Sequence, residues 1–244
     1  MTDENQNGPS RRAFLTGAGA VAAGTLAGKA SAQDDPAIAI KPWMQELGDG
    51  VDVSPYGMPS PYEEDVKRRT VEWLTADPVS SINFTPIHAL DGTITPNGIC
   101  FERHHSGVAK VDPAEHRLMI NGLVDRELVF TMEDLMRFPR ENHVYFLECA
   151  ANSGMEWRGS QLNGVQFTHG MIHNVQYTGI PLRLLLEEAG VKTEGKWLLA
   201  EGADAAAMSR SIPMEKALDD CLVAFKMNGE ALRPEQGYPV RLVV

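Results

Sequence analysis

The chain has 244 residues, 43% hydrophobic and 23% charged, which suits a folded globular protein of one large or two modest domains. With 33 acidic against 22 basic side chains the formal charge is −11, an unsuitable balance for a nucleic-acid surface. Beyond residue 32 no run approaches the roughly 18 consecutive apolar residues that a membrane span requires.

Residues 1–32 read as a twin-arginine export signal. Arg11 and Arg12 are paired in SRRAFL, a Gly- and Ala-rich apolar stretch follows, Lys29 stands near its end, and ASA precedes Gln33 as a cleavage site. This predicts a periplasmic protein exported already folded, with any cofactor loaded beforehand. Cleavage would remove three basic side chains (Arg11, Arg12, Lys29) against two acidic ones (Asp3, Glu4), leaving about −12 on the mature chain.

Residues 33–97 read as an irregular segment packed on the main domain, with Pro36, Pro42, Pro55, Pro59 and Pro61 scattered among charges. One short helix is predicted over Glu63–Leu74, where acidic residues lead and basic ones follow. From 98 onward the pattern is regular. HRLMINGLV (116–124) reads as a strand with a turn at Asn121-Gly122. TMEDLMRF (131–138) reads as a helix capped by Thr131 with Asp134 three residues on, stopping before Pro139. HVYFLECA (143–150) and KWLLAEG (196–202) read as buried strands without clean alternation. Between them PLRLLLEEAG (181–190) is the clearest helix, with Pro181 in its first turn and Gly190 after its last. PMEKALDD (213–220) predicts another short helix, and CLVAFKMNGEAL (221–232) a strand turning at MNG. YPVRLVV (238–244) is a final strand, and because the chain stops inside it a longer parent protein is expected. Strands separated by short helices and long loops indicate an α+β domain.

Three cysteines are far apart, at 100, 149 and 221, with no C-x-x-C zinc spacing and no C-x-x-C-H for a covalent haem. Cys149 ends a predicted strand and precedes the small-residue loop AANSG. It suits a buried core thiol, a nucleophile with a partnered base, or a single soft ligand to a metal whose other ligands belong to a cofactor. FERHH (101–105) offers a guanidinium fork on Arg103 and donors on His104 and His105, or else a solvated surface cluster. Asp204 in EGAD could accept hydrogen bonds from a heterocycle or be a plain turn residue. Arg241 in GYPVR would place a cation among apolar neighbours, or else be an ordinary edge-strand arginine.

Order and spacing say more than each signal alone. F-x-R-x-H, a strand ending in Cys about 44 residues on, EG-x-D, S-I-P, MNG-x-x-L and G-[FY]-P-V-R together resemble the molybdenum domain of the sulfite oxidase family, from about Phe101 to Val244. The wording from ERHHSGVAKVDPAEHRL to FLECAANSGMEW resembles in particular the molybdenum subunits of sulfane dehydrogenases within it. The resemblance implies a mixed-sheet α+β molybdopterin domain over 98–244 and a molybdenum–molybdopterin cofactor, with Cys149 as the thiolate on the metal and Arg103 beside it. It also implies pterin contacts from the segment holding Phe101, His104 and His105, and from Asp204, Gln236 and Arg241; family members have Asn at position 104 and often His at 236. Oxidation of sulfane sulfur carried on a cysteine of a carrier protein would follow, with electrons passed to a separate c-type cytochrome subunit. A C-terminal dimerisation domain beyond Val244 is implied as well. Sulfite oxidases carry C-A-G-N-R-R after the cysteine strand; here Ser153 and Gly154 replace the arginines, which disfavours free sulfite. Sulfite dehydrogenase is the alternative activity, and a non-catalytic exported binding protein with a buried Cys149 thiol is the alternative class.

Overall fold

The computed structural model describes residues 44–47, 59–71 and 77–244. The expected export signal and most of the irregular segment that follows it lie outside these residues. Residues 44–47, all exposed, fall in one unit, Met1–Gly57; the remaining described residues fall in a second, Met58–Val244. Among the described residues no helix is long and apolar enough to cross a membrane.

The second unit begins with a 3₁₀ turn at Pro61–Glu63, where the Ser60 hydroxyl accepts from the Tyr62 amide at 3.3 Å. The helix expected over Glu63–Leu74 is not formed over its described part. The chain instead enters β1 (Arg69–Thr70), which pairs with β2 (Ile82–Phe84), itself paired with β3 (Glu102–Arg103). Long-range ladder bonds and the burial of Val71 beside Phe84 outweigh a charge gradient worth only about 0.3–1 kcal/mol.

β4 (Leu118–Ile120) and β5 (Leu128–Phe130) form a hairpin, and Gly122 at φ 99° makes the expected turn after β4. The helix expected at 131–138 is α1 (Met132–Leu135), with a complete capping box between Thr131 and Asp134. Then come β6 (Glu141–Glu148), α2 (Val165–His169), β7 (Ile172–Pro181), α3 (Leu182–Ala189), β8 (Trp197–Glu201) and β9 (Ser209–Pro213). α4 (Met214–Asp219), β10 (Leu222–Met227), β11 (Glu230–Ala231) and β12 (Arg241–Val243) complete the order. The central sheet runs β11-β10-β7-β6 with β12 also on β10, and every recorded pairing is antiparallel.

Two packed layers cover this sheet. On one face Ile180, Val223 and Phe225 meet the apolar stripe of α3, namely Leu182, Leu185, Leu186 and Ala189. On the other face Val175, Tyr177, Leu222, Ala224, Met227 and Val243 enclose Cys100. β10 is covered on both sides, which is why it reads as an unbroken apolar run. Each fully buried leucine contributes about 1.5–3 kcal/mol relative to exposure.

β6 and β8 depart from the buried strands expected of them. β6, the edge of the sheet, alternates regularly between half-buried and exposed residues, because one of its faces packs and the other is open. β8 alternates too, in a separate hairpin with β9, leaving Trp197 and Leu199 outward.

Candidate functional site

β6 delivers Cys149 to a defined place. Its ladder with β7 runs from Glu141↔Gly179 to Glu148↔Ile172, and Cys149 is the next residue, donating its amide to Met171 O at 3.0 Å. The chain then folds back. Asn152, nearly buried, donates from Nδ2 to Glu148 Oε1 at 2.9 Å and accepts the Met171 amide on Oδ1 at 3.0 Å. Ser153 adopts a left-handed backbone, φ 60°, and donates its amide to Thr168 O at 2.8 Å. The small polar AANSG run is thus a corner bonded to both β6 and the α2–β7 connection. The thiol at its head is half-buried against Phe101, Met171 and Leu147.

A second arm comes from the C-terminal strands. Gln236, 4% exposed, donates from Nε2 to Phe101 O at 3.0 Å. Gly237 turns the chain at φ 99°, so that Arg241 donates back to Gln236 O at 3.0 Å and to Gln236 Oε1 at 3.3 Å. Phe101 itself is fixed by its amide, which donates to Thr85 Oγ1 at 2.9 Å.

These arms enclose a cavity of about 200 Å³. It is lined by five residues singled out from sequence: Phe101, Arg103, Cys149, Gln236 and Arg241. Arg103 donates to the backbone carbonyls of Ser81 (3.4 Å) and His104. Among the described residues neither Arg103 nor Arg241 forms an ion pair with a carboxylate, so both guanidiniums retain donors for an anion. No cluster of three or more His, Cys, Asp or Glu converges among the described residues. A metal at Cys149 would therefore take one protein sulfur and its remaining ligands from elsewhere.

Three sequence-selected residues lie outside this lining. His104, just after β3, is buried with Nε2 at 3.0 Å from Glu102 Oε2. His105 is exposed. Asp204 is exposed and accepts from Ser106 Oγ at 3.0 Å, so the EGAD loop reaches the FERHH segment beside the cavity rather than within it.

Sequence reasoning also missed residues that the structure places here. Glu102, Leu147 and Glu235 line the cavity. Glu102, with a side chain only 10% exposed, pairs with Arg68 through one oxygen and His104 through the other. His173 is 2% exposed, packs tilted against Phe101 at 5.0 Å between ring centroids and meets Tyr177 Oη at 3.2 Å from Nε2, while Nδ1 is buried without a partner. Burial, with help from Arg241, lowers its pKa to about 3. The signal for this strand was the period-two row Met171, His173, Val175, Tyr177.

The other cysteines are free and serve the core. Burial pushes Cys100 up to about 12 and also raises Cys221, so neither is a ready thiolate.

Comparison with known proteins agrees with this geometry. The model of the oxidoreductase molybdopterin binding domain matches residues 105–244. Mouse (Mus musculus) mitochondrial sulfite oxidase is 30% identical over 195 residues, 75% of this chain and 36% of its own length. An NADH nitrate reductase of Volvox carteri is 34% identical over 169 residues, covering 63% of this chain and 19% of that protein. The crystal structure of the sulfane dehydrogenase SoxCD from Paracoccus pantotrophus superimposes with a TM-score of 0.82 at 64% identity, covering 86% of this chain and 54% of that one. The chain thus spans about a third of the length of the sulfite oxidases it matches and about half of the solved chain.

Proposed function

Because this chain belongs to the molybdopterin-binding oxidoreductases of the sulfite oxidase type, we propose that it is the catalytic domain of a periplasmic sulfane dehydrogenase. Its substrate would be sulfane sulfur held on a cysteine of a carrier protein, and its electron acceptor a separate c-type cytochrome. The observation that supports this reading most directly is the convergence of Cys149, Arg103 and Arg241 on one cavity, in a chain 64% identical to a sulfane dehydrogenase structure.

The residues present fit a molybdenum–pterin group. The cavity offers one half-buried thiol and two guanidiniums with open donors, which is the chemistry needed by a soft high-valent metal and an anionic organic ligand. When bound, that group would supply a metal able to take two electrons from sulfur, with water as the oxygen source. The chain's own residues do the rest. Cys149 would hold the metal through Sγ at the rigid corner after β6. Gln236 fixes Phe101 and Arg241 together, so the Arg241 fork is held at the cavity wall, where it would bind the anionic part of the cofactor. Arg103, locked by two carbonyls, would orient the anionic sulfur. His105 and Asp204, at the rim, would serve the pterin from outside.

Oxidation of free sulfite is the second reading, favoured by the same two guanidiniums, which suit a small oxyanion. Ser153 and Gly154 disfavour it, since neither supplies charge at the corner beside the thiol. Folded full-length protein, produced with cofactor biosynthesis intact, should hold about one molybdenum per chain and turn over the carrier adduct in preference to sulfite. A Cys149→Ser variant should fold yet lose metal and turnover. Wild-type protein free of molybdenum would overturn the redox reading in favour of a binding protein, and a fully active Cys149→Ser variant would overturn the ligand assignment.

A further inference from the structure

Oxidising sulfur with water creates a proton problem that the residues named so far leave open. Each oxygen atom moved from water to sulfur releases two protons in the cavity, while the two electrons leave to the haem acceptor. Of the carboxylates on the wall, Glu102 is the one hydrogen-bonded to an imidazole.

We propose that Glu102 and His104 form a proton relay, in which Glu102 receives protons at the cavity wall and His104 passes them toward solvent. The proposal rests on the redox reading above. Glu102 lines the cavity, and its Oε2 lies 3.0 Å from His104 Nε2, within direct transfer distance. His104 does not line the cavity, yet its side chain keeps 10% of its surface open. It is followed at once by the exposed His105. Arg68, on the other carboxylate oxygen, holds Glu102 in place.

The charges around His104 suit a carrier that is normally neutral. Burial lowers its pKa first, Arg103 and Arg68 lower it further, and Glu235 opposes them. A neutral ring can take a proton from Glu102 and release it readily, which a permanently charged one could not.

The test uses full-length, molybdenum-loaded protein, the carrier adduct and a haem acceptor. His104→Asn keeps a side chain able to bond Glu102 but cannot carry a proton. Expected are unchanged molybdenum content, a kcat lower by about tenfold or more, and partial restoration by added imidazole. KM should stay within about twofold, because ground-state binding is untouched. Glu102→Gln should reproduce the kcat loss. In cofactor-free protein it should also lower the titration midpoint of the His104 ¹⁵N resonances, through loss of the carboxylate. Loaded His104→Asn with wild-type kcat, or a kcat loss that imidazole does not relieve, would overturn the relay and leave the enzyme reading intact. A wild type without molybdenum would overturn both.

Discussion

Protonation of His173 should make the protein acid-labile in a way traceable to one side chain. The imidazole is 2% exposed, wedged between Phe101 and Tyr177, and burial with Arg241 lowers its pKa from 6.5 to about 3. The unfolded chain therefore binds a proton below about pH 6.5 that the folded chain refuses until about pH 3. Stability from this group is fully present above the unfolded value and is lost progressively as pH falls through that window. At about 1.4 kcal/mol per pH unit, the loss between pH 7 and pH 5 is about 2 kcal/mol. The assay is urea unfolding by tryptophan fluorescence at both pH values, on wild type and on His173→Gln, which keeps a polar atom near Tyr177 but cannot titrate. Other ionising groups are common to both proteins and cancel. Wild type should lose about 2 kcal/mol more than the variant. Equal losses would refute the reasoning and mean that His173 gains a proton or a solvent path in the fold.

Four further outcomes follow from packing and hydrogen bonding. Leu185→Ala empties a fully buried position between α3 and the sheet and should cost about 2–5 kcal/mol in urea unfolding. Thr131→Ala breaks the capping box of α1 and should cost about 0.5–2 kcal/mol, read as a fall in denaturation midpoint at constant slope. Gly179→Ala would set a Cβ 2.7 Å from both Ala224 Cα and Val223 O, atoms of the β10 backbone that cannot yield without parting the sheet. A loss of about 3 kcal/mol or more should appear as a lowered melting temperature. Gln236→Met conserves volume but strands the Phe101 carbonyl and removes one of the two acceptors of Arg241. It should cost about 1–3 kcal/mol and reduce metal retained through dialysis.

What could be read in advance follows the range of the forces involved. α3 was legible because Pro181, the apolar stripe Leu182, Leu185, Leu186 and Ala189, and Gly190 act within ten residues of one another, and the structure places Gly190 in the left-handed conformation expected of it. The α1 cap and the turn at Asn228-Gly229 are equally local. The helix expected over Glu63–Leu74 failed because pairing of Arg69 with Phe84 is a long-range fact with no local mark. β7 went unread although Met171, His173, Val175 and Tyr177 alternate, since a polar His in that row masks the apolar face it belongs to. In the site, Cys149, Arg103, Phe101, Gln236 and Arg241 were found through their order along the chain, and the fold brings all five to one cavity. Glu102 escaped notice because its importance lies in Arg68, 34 positions upstream, and in a cavity wall that no spacing rule describes.

The corner after β6 has a consequence for how such a domain can diversify. Cys149 is anchored to Met171, and Asn152 and Ser153 are anchored to Met171 and Thr168, so both ends of the 149–153 bend are pinned before the chain reaches residue 154. The stretch from 154 to 164 then leaves and returns at points already fixed, carrying the exposed Trp157 and Leu162. Those exposed side chains can be exchanged while the hydrogen bonds at 149–153 stay in place. The bend that carries the Cys149 thiol is thus held apart from the exposed panel beside it, and the effect of exchanging Trp157 or Leu162 is best measured with the corner left untouched.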